Sequence, residues 1–365
     1  MPPLSILFAA GGSGGHLFPA IAVAEELSSR DLDLNLALVT SDKPIDQVVT
    51  RSVAWEALML PVVAPSTMKR APWRFLRRNW QAWSEAGRII DQRKPTAVVG
   101  CGGFASVPLL LAARSRRVPI VLLEQNAFPG RVTRWLGRAA QTICCTDRAS
   151  HRHLPSRGVS LVHTGNPVRR EIAALAHRPP EEVAGGRTLL VLGGSQGSHG
   201  LNQALIDIVT ADAGTLRGWN IVHQTGETDR EMVEQAYQTA GLQANVQAFL
   251  GDMTPHYRTA ALAVTRAGGT TLAELACASV PSILVPYPHA ADDHQRANAE
   301  TFRAGGGSVV IEQQRPDFSN ALRGELNLLL GDAERRNAMS RAVRQLAAPD
   351  AARAVADIIL RAVRP

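Results

Sequence analysis

An apolar strand that runs into a glycine-rich turn and then a helix constrains this chain more than any other feature, and the chain carries that arrangement twice. Residues 7–27 read LFAAGGSGGHLFPAIAVAEEL and residues 187–209 read RTLLVLGGSQGSHGLNQALIDIV. Each is followed by a second, matching pair. AVVGCGGFASVPLLLAARSRRVPIVLLEQN in the first half and LAVTRAGGTTLAELACASVPSILVPYPH in the second both give strand, Gly-Gly turn, helix, Val-Pro and strand. Continuous apolar strands alternating with helices belong to parallel sheets covered on both faces. The pattern predicts strands at 4–9, 34–39, 96–99, 118–123 and 141–145, with helices at 18–29 and 105–114. At 365 residues the chain exceeds one ordinary core, so two doubly wound α/β domains are expected.

The boundary should fall in residues 164–186, where Pro167, Pro179, Pro180, Gly185 and Gly186 interrupt the rhythm without a clear strand. That leaves a first domain at 1–163, a second at 187–340 and a closing helical stretch at 341–365. Ligands of such sheets sit beyond the carboxyl ends of the strands, so all four glycine turns could border one cleft. Spacing narrows what the opening loop can hold. The dinucleotide fingerprint G-x-G-x-x-G is weakened by Leu17 where its third glycine belongs, and a P-loop fails because His16, not lysine, follows Gly15. Two readings stay open: a phosphate cradle at a helix N-terminus, or a tight strand-to-helix turn.

Charge and cysteine usage bound the rest. The net charge is +7, and residues 66–94 alone hold eight Lys or Arg against Glu85 and Asp91. In that stretch Trp73, Phe75, Leu76, Trp80 and Trp83 interleave with Arg70, Arg74, Arg77 and Arg78. Taken alone, this is first an amphipathic helix with its tryptophans packed inward, and second a face for an anionic membrane surface. Nucleic acid is disfavoured because no recognition motif accompanies the cluster. Cys101, Cys144, Cys145 and Cys277 form no C-x-x-C pair, which fits a reducing cytoplasm, and no secretory signal is visible. Residues 95–113 carry no charge, but two prolines and three glycines favour a buried strand, turn and helix over a membrane span.

The richest chemical run is TRAGGTTLAELACASVPSILVPYPHAADDHQRANA, residues 265–299. Gly268 and Gly269 open a helix suited to a diphosphate, and Glu274 lies one turn inside it, where a carboxylate can accept from a sugar diol. His289, Asp292, Asp293, His294 and Gln295 follow the next strand as polar groups able to read sugar hydroxyls. A metal site at Asp292, Asp293 and His294 is disfavoured, because consecutive loop residues rarely converge on one ion.

Seven segments in order, GGSGGHLFPA, GCGGFASVP, EQNAFPG, GNPVR, GGSQGSHGLN, RAGGTTLAE and PHAADDHQRANA, resemble the MurG family of bacterial peptidoglycan N-acetylglucosaminyltransferases. The resemblance spans residues 10 to about 300 and implies the GT-B fold of two Rossmann-like domains, with the C-terminal helix returning to the first. It implies transfer of N-acetylglucosamine from UDP to the 4-hydroxyl of the undecaprenyl-diphosphate-linked N-acetylmuramyl pentapeptide, lipid I, with inversion and without an essential metal or cofactor. A UDP-N-acetylglucosamine 2-epimerase of the same fold is the alternative activity, and a nucleotide-sugar binding module the non-enzymatic one.

Carried onto this chain, the donor would be met by Ser13, Gly14, Gly15, Asn126, Arg169, Ser195, Leu250, Gly269, Thr270, Thr271, Leu272, Ala273, Glu274 and Gln295. The acceptor diphosphate would be met by Gly14, Gly102, Gly103 and Phe104, the last standing where many relatives carry tyrosine. His294 likewise stands where some members have glutamine. The resemblance also implies that Trp73, Phe75, Leu76, Trp80 and Trp83 meet the cytoplasmic face of the inner membrane, reversing the order of the two readings above. It admits other cell-wall synthesis proteins as partners. For the base that deprotonates the acceptor hydroxyl, His16 is the first candidate, since an imidazole titrates near neutral pH, and Glu124 is the second.

Overall fold

The computed structural model describes residues 3–51, 53–155, 157–194 and 197–363. Its contacts divide the chain into two units, Met1–Arg169 with Asp350–Pro365, and Arg170–Pro349. The first unit holds a seven-stranded sheet of β1 (Leu4–Ala9), β2 (Leu34–Ser41), β3 (Glu56–Leu60), β4 (Ala97–Gly100), β5 (Ile120–Glu124), β6 (Thr142–Cys145) and β7 (Ser160–His163). Its spatial order is β3-β2-β1-β4-β5-β6-β7 and every pairing is parallel. The second unit holds β8 (Thr188–Leu192), β9 (Asn220–Gln224), β10 (Ala244–Gln247), β11 (Leu262–Thr265), β12 (Ser282–Leu284) and β13 (Ser308–Val310). Their order is β10-β9-β8-β11-β12-β13, again parallel throughout. Strand order reverses between β1 and β4 and between β8 and β11, which are the crevices where doubly wound sheets bind ligands.

Alternation along β1 explains why Ile6 to Ala9 must all be apolar. Ile6 and Phe8 enter one core with Leu36, Leu38, Val99, Val121 and Leu123, while Leu7 and Ala9 enter the opposite core with Ala37, Val39, Val98 and Leu122. The first core is roofed by the opening helix Gly14–Ser28 and by the closing helix Ala351–Val363, through Val355, Ala356 and Ile359. Arg30 fastens the two helices from outside by an ion pair to Asp357 at 2.6 Å. Burying a side chain such as Ile359 contributes about 2 kcal/mol, so the last segment of the chain is a structural part of the first unit. The opposite core takes Ala82, Ala86 and Ile90 of the helix Pro72–Arg93 and Leu109, Leu110, Ala112 and Ala113 of the helix Val107–Ser115.

Two elements depart from expectation. The opening helix begins at Gly14 rather than Phe18: Pro19 reads as a first-turn proline, yet it is the sixth helical residue, and the glycines and His16 form the first turn instead. The uncharged stretch 95–113 contains β4, a short 3-10 turn at Phe104–Ser106 and the start of the helix Val107–Ser115. Among the described residues no helix is long and apolar enough to cross a membrane. All four cysteines are free and buried.

Beneath the first turn of the second unit lies a closed polar chain. Asn202 Nδ2 donates to the Thr225 carbonyl at 2.9 Å and to Asp229 at 2.8 Å. Its Oδ1 therefore accepts from Nε2–H of His223 at 3.1 Å, and His223 Nδ1 accepts from the Tyr237 hydroxyl at 2.9 Å. Complete burial holds His223 neutral, pushing its pKa down to about 3 from 6.5. Because the folded value lies below the unfolded one, this group's stabilisation is fully present above pH 6.5 and is lost as pH falls toward 3. Urea unfolding of His223→Gln should accordingly lose less stability between about pH 6 and pH 4 than the parent chain, by roughly 1.4 kcal/mol per pH unit. Parallel pH dependences would contradict a neutral buried ring.

Candidate functional site

In the first unit the turns after β1 and β4 emerge side by side, because those strands are neighbours in the sheet. A carboxylate that the sequence reading did not single out fixes the first turn. Asp46, fully buried in the first turn of the short helix Pro44–Thr50, accepts the Gly12 N–H on both oxygens, at 3.0 and 2.9 Å. It also accepts the Thr40 hydroxyl at 3.1 Å and the Ser41 hydroxyl. Four hydrogen bonds on one acid hold the loop's backbone to the end of β2.

The second turn is held against the first by His16. A Cβ on Gly102 would stand 3.0 Å from His16 Nδ1, and one on Gly103 would stand 2.9 Å from Cδ2 of the ring and 2.5 Å from the Gly11 carbonyl oxygen. Gly103 also has φ +72°, so glycine is required there for both space and conformation. The imidazole thus lies along the glycine pair, with Nδ1 3.3 Å from Gln125 Oε1. Beside it opens a cavity of about 200 Å³ lined by Gly12, Ser13, His16, Lys43, Gly103 and Phe104, among others. Lys43 is the cation of that lining and was not anticipated; only the folded loop brings it over Gly12.

Glu124 ends β5 and is buried. Its Oε1 accepts from the backbone and side-chain nitrogens of Asn126, both at 3.1 Å, and Oε2 accepts from Gly130 N at 2.9 Å. Burial raises its pKa; hydrogen bonds from Thr133, Gly130 and Asn126 oppose that shift. Asn126 is thereby set in the loop that Glu124 closes. Gly14 and Gly15 open the first helix, and the Phe18 ring packs on Gly14. Arg169 places its guanidinium 4.5 Å from the centre of that same ring. Phe104 stacks on Phe75 at 6.3 Å between centroids. Four large apolar residues of the helix Pro72–Arg93 face outward: Trp73 is 82% exposed and Trp80 65%, with Leu76 and Trp83 exposed as well. Their spacing, 73, 76, 80 and 83, makes one stripe. The inward-packed reading of the tryptophans is therefore overturned, because small residues, Ala82, Ala86 and Gly87, occupy the buried side.

In the second unit Ser195 lies outside the described residues. Around it, Gly197 has φ +76° and a Cβ there would lie 2.0 Å from the Thr225 carbonyl oxygen, so this turn too is closed against a neighbouring strand end. Gln224 ties the turn to another predicted contact: its Nε2 donates to the Gly194 carbonyl at 2.7 Å and its Oε1 accepts from Leu250 N at 3.0 Å. The helix Gly269–Ala278 presents Gly269, Thr270, Thr271, Leu272 and Ala273 in its first turns. Glu274 is buried in its interior and accepts from the Tyr257 hydroxyl at 2.9 Å. Gln295 Oε1 accepts from Ala267 N at 3.2 Å and Tyr287 N at 2.9 Å, binding two loops together.

Arg266 is the residue of this unit that the sequence reading missed. It donates to the Val285 and Pro286 carbonyls at 3.0 and 3.3 Å, to Ser198 Oγ at 2.6 Å and to Gln313 at 2.5 Å. Burial lowers its pKa to about 10, which leaves it charged at neutral pH. A fixed positive charge thus stands between the two glycine-led helices. His294 Nδ1 meets the Ala291 carbonyl at 2.7 Å. Among the described residues no group of three or more His, Cys, Asp or Glu is placed to hold a metal ion.

Two doubly wound units, each with paired glycine turns at its strand-order reversal, make up the GT-B fold, and the family models make the chain a glycosyltransferase of that class. Residues 6–145 match the glycosyltransferase family 28 N-terminal domain and residues 188–355 the family 28 C-terminal domain. A UDP-N-acetylglucosamine--N-acetylmuramyl-(pentapeptide) pyrophosphoryl-undecaprenol N-acetylglucosamine transferase of Anaeromyxobacter sp. (strain K) is 37% identical over 99% of this chain and 94% of its own length. The crystal structure of Acinetobacter baumannii MurG superposes with a TM-score of 0.71 at 28% identity, covering 98% of this chain and all of that one. The chain belongs to this family, the MurG transferases. A Neisseria meningitidis UDP-GlcNAc 2-epimerase bound to UDP-GlcNAc shares the fold alone, with a TM-score of 0.68 at 14% identity over 98% of this chain and all of that one.

Proposed function

We propose that this chain transfers N-acetylglucosamine from UDP to the 4-hydroxyl of the lipid I N-acetylmuramyl sugar by a single in-line displacement, with His16 as the base. Family membership supports the reaction; the observation that carries the residue assignment is the His16 imidazole laid along the Gly102–Gly103 turn at the edge of the first unit's cavity. His16 takes the hydroxyl proton as the oxygen bonds to the donor's anomeric carbon, and the carbon–oxygen bond to UDP breaks with its electron pair passing to the β-phosphate. Glu124 is occupied by the donors of its own loop, so its role is to hold Asn126 and Gly130 in place. Lys43 and the backbone around Gly12 and Gly103 suit the acceptor's diphosphate.

On the donor side the positive end of the dipole of the helix opening at Gly269 favours a diphosphate, and buried Arg266 adds fixed positive charge that offsets the leaving group's negative charge. Glu274, one oxygen of which accepts from Tyr257, is the proposed acceptor of the ribose hydroxyls, and Gln295, its oxygen engaged, would offer its amide N–H groups to the sugar. The stripe Trp73, Leu76, Trp80 and Trp83, set among Arg74, Arg77 and Arg78, is proposed to lie on an anionic membrane surface, which puts the chain at the cytoplasmic leaflet. Phe75 belongs to the site instead, through Phe104.

Transfer of labelled N-acetylglucosamine to a short-chain lipid I analogue tests the reaction; conversion of the donor alone into UDP-N-acetylmannosamine would favour the epimerase. His16→Ala should lower kcat by roughly 100-fold or more, the usual scale for a general base. A variant with near-native kcat and only a raised acceptor KM would remove that role. Glu274→Ala should lose UDP-sugar affinity in calorimetric titration while keeping its melting temperature, and unchanged affinity would refute the ribose contact. Serine at both Trp80 and Trp83 should weaken binding to anionic liposomes and spare turnover of a soluble acceptor; an unchanged partition would sink the membrane assignment.

A further inference from the structure

The hydrogen-bond partners of Gln125 determine which nitrogen of His16 carries the proton. Gln125 begins the turn after β5 and is 4% exposed. Its Nε2 lies 2.9 Å from the Cys101 carbonyl oxygen and 3.4 Å from the Leu123 carbonyl oxygen. Carbonyl oxygens only accept, so the amide nitrogen is the end that faces them. The opposite end, Oε1, is an acceptor and stands 3.3 Å from His16 Nδ1. An oxygen acceptor there requires Nδ1 to be the protonated nitrogen, and the neutral ring then carries its lone pair on Nε2. The other tautomer would set the Nδ1 lone pair against the lone pairs of Oε1.

We infer that Gln125 is a positioning residue for the transfer reaction: it fixes the Nδ1–H tautomer of His16 and so dedicates Nε2 to the acceptor's proton. The inference rests on His16 being the base, but the tautomer is a property of the protein by itself. Gln125 is anchored by the backbone at the ends of β4 and β5, the two strands that also aim the Gly102–Gly103 turn and Asn126. The same strand ends therefore set the ring's position, through the glycines, and its protonation pattern, through the amide. In the second unit Asn202 acts on His223 by the same logic with the opposite result, since its oxygen accepts from Nε2–H.

The test is nitrogen NMR of the full chain labelled at histidine, with the His16 signals assigned by their loss in His16→Asn. In the parent protein at a pH where the ring is neutral, Nδ1 should carry the proton. A proton on Nε2 overturns the inference without any variant, whatever the transfer assay shows. Gln125→Met removes the acceptor at nearly constant volume; it should give mixed tautomers and lower kcat by about tenfold at unchanged KM for UDP-N-acetylglucosamine. Gln125→Glu, protonated in this buried site, keeps one acceptor and one donor and should restore the Nδ1–H form. A Met variant that holds the pure Nδ1–H tautomer would also overturn the inference. Failure of lipid I transfer by the parent chain would instead remove the proposed reaction and leave the tautomer result standing.

Discussion

The first unit's site depends on the contact between the His16 ring and the Gly102–Gly103 turn. One imidazole fills the space that two missing side chains leave, so the turns after β1 and β4 cannot separate or approach without expelling it. Everything near the cavity inherits that constraint. Asp46 fixes the Gly12 side of the contact from β2, and Gln125 fixes the far side of the ring from β5. Four neighbouring strands, β2, β1, β4 and β5, thus converge on one group, and their parallel register is what brings their carboxyl ends to the same edge.

The second unit solves the same geometric problem with a cation. Arg266 occupies the crevice between β8 and β11 and satisfies two backbone carbonyls, the Ser198 cap and Gln313 at once. A charge buried this far is costly unless its donors are satisfied, and here the partners are supplied by three separate segments. Its aromatic neighbour Tyr287, 5.5 Å from the guanidinium, covers one face. The duplicated sequence pattern therefore specifies duplicated backbones with different chemistry at corresponding reversals: a titratable ring at one, a permanent positive charge at the other.

Much of this was legible in the sequence because it follows from periodicity. A largely apolar run placed β1 at 4–9 as found, and four Gly-Gly pairs marked the four turns at the two reversals. The first helix starts four residues before its expected position, because Gly14, Gly15 and His16 form its first turn. The strands Glu56–Leu60 and Ser160–His163 escaped notice because each is short, half-exposed and flanked by polar residues at the sheet's edges. Asp46, Gln125, Lys43 and Arg266 were not legible for a different reason. Buried polar residues look like surface polar residues in one dimension, and only the fold shows that each meets partners from remote segments.

The three polar residues at and just beyond the end of β5 show what residue order adds to a motif. Glu124, Gln125 and Asn126 are consecutive, yet they serve three directions, because Glu124 is the last residue of β5 and the other two lie in the loop that leaves it. Glu124 turns toward its own loop and closes it at Gly130. Gln125 turns back across the sheet to the end of β4 and meets His16. Asn126 is then presented by the loop that Glu124 has closed. Exchanging Glu124 and Gln125 would keep the composition and lose both functions: a carboxylate would face the Cys101 carbonyl, and an amide would have to accept on both ends. The order of the three residues, and not their polarity, carries the information that the site uses.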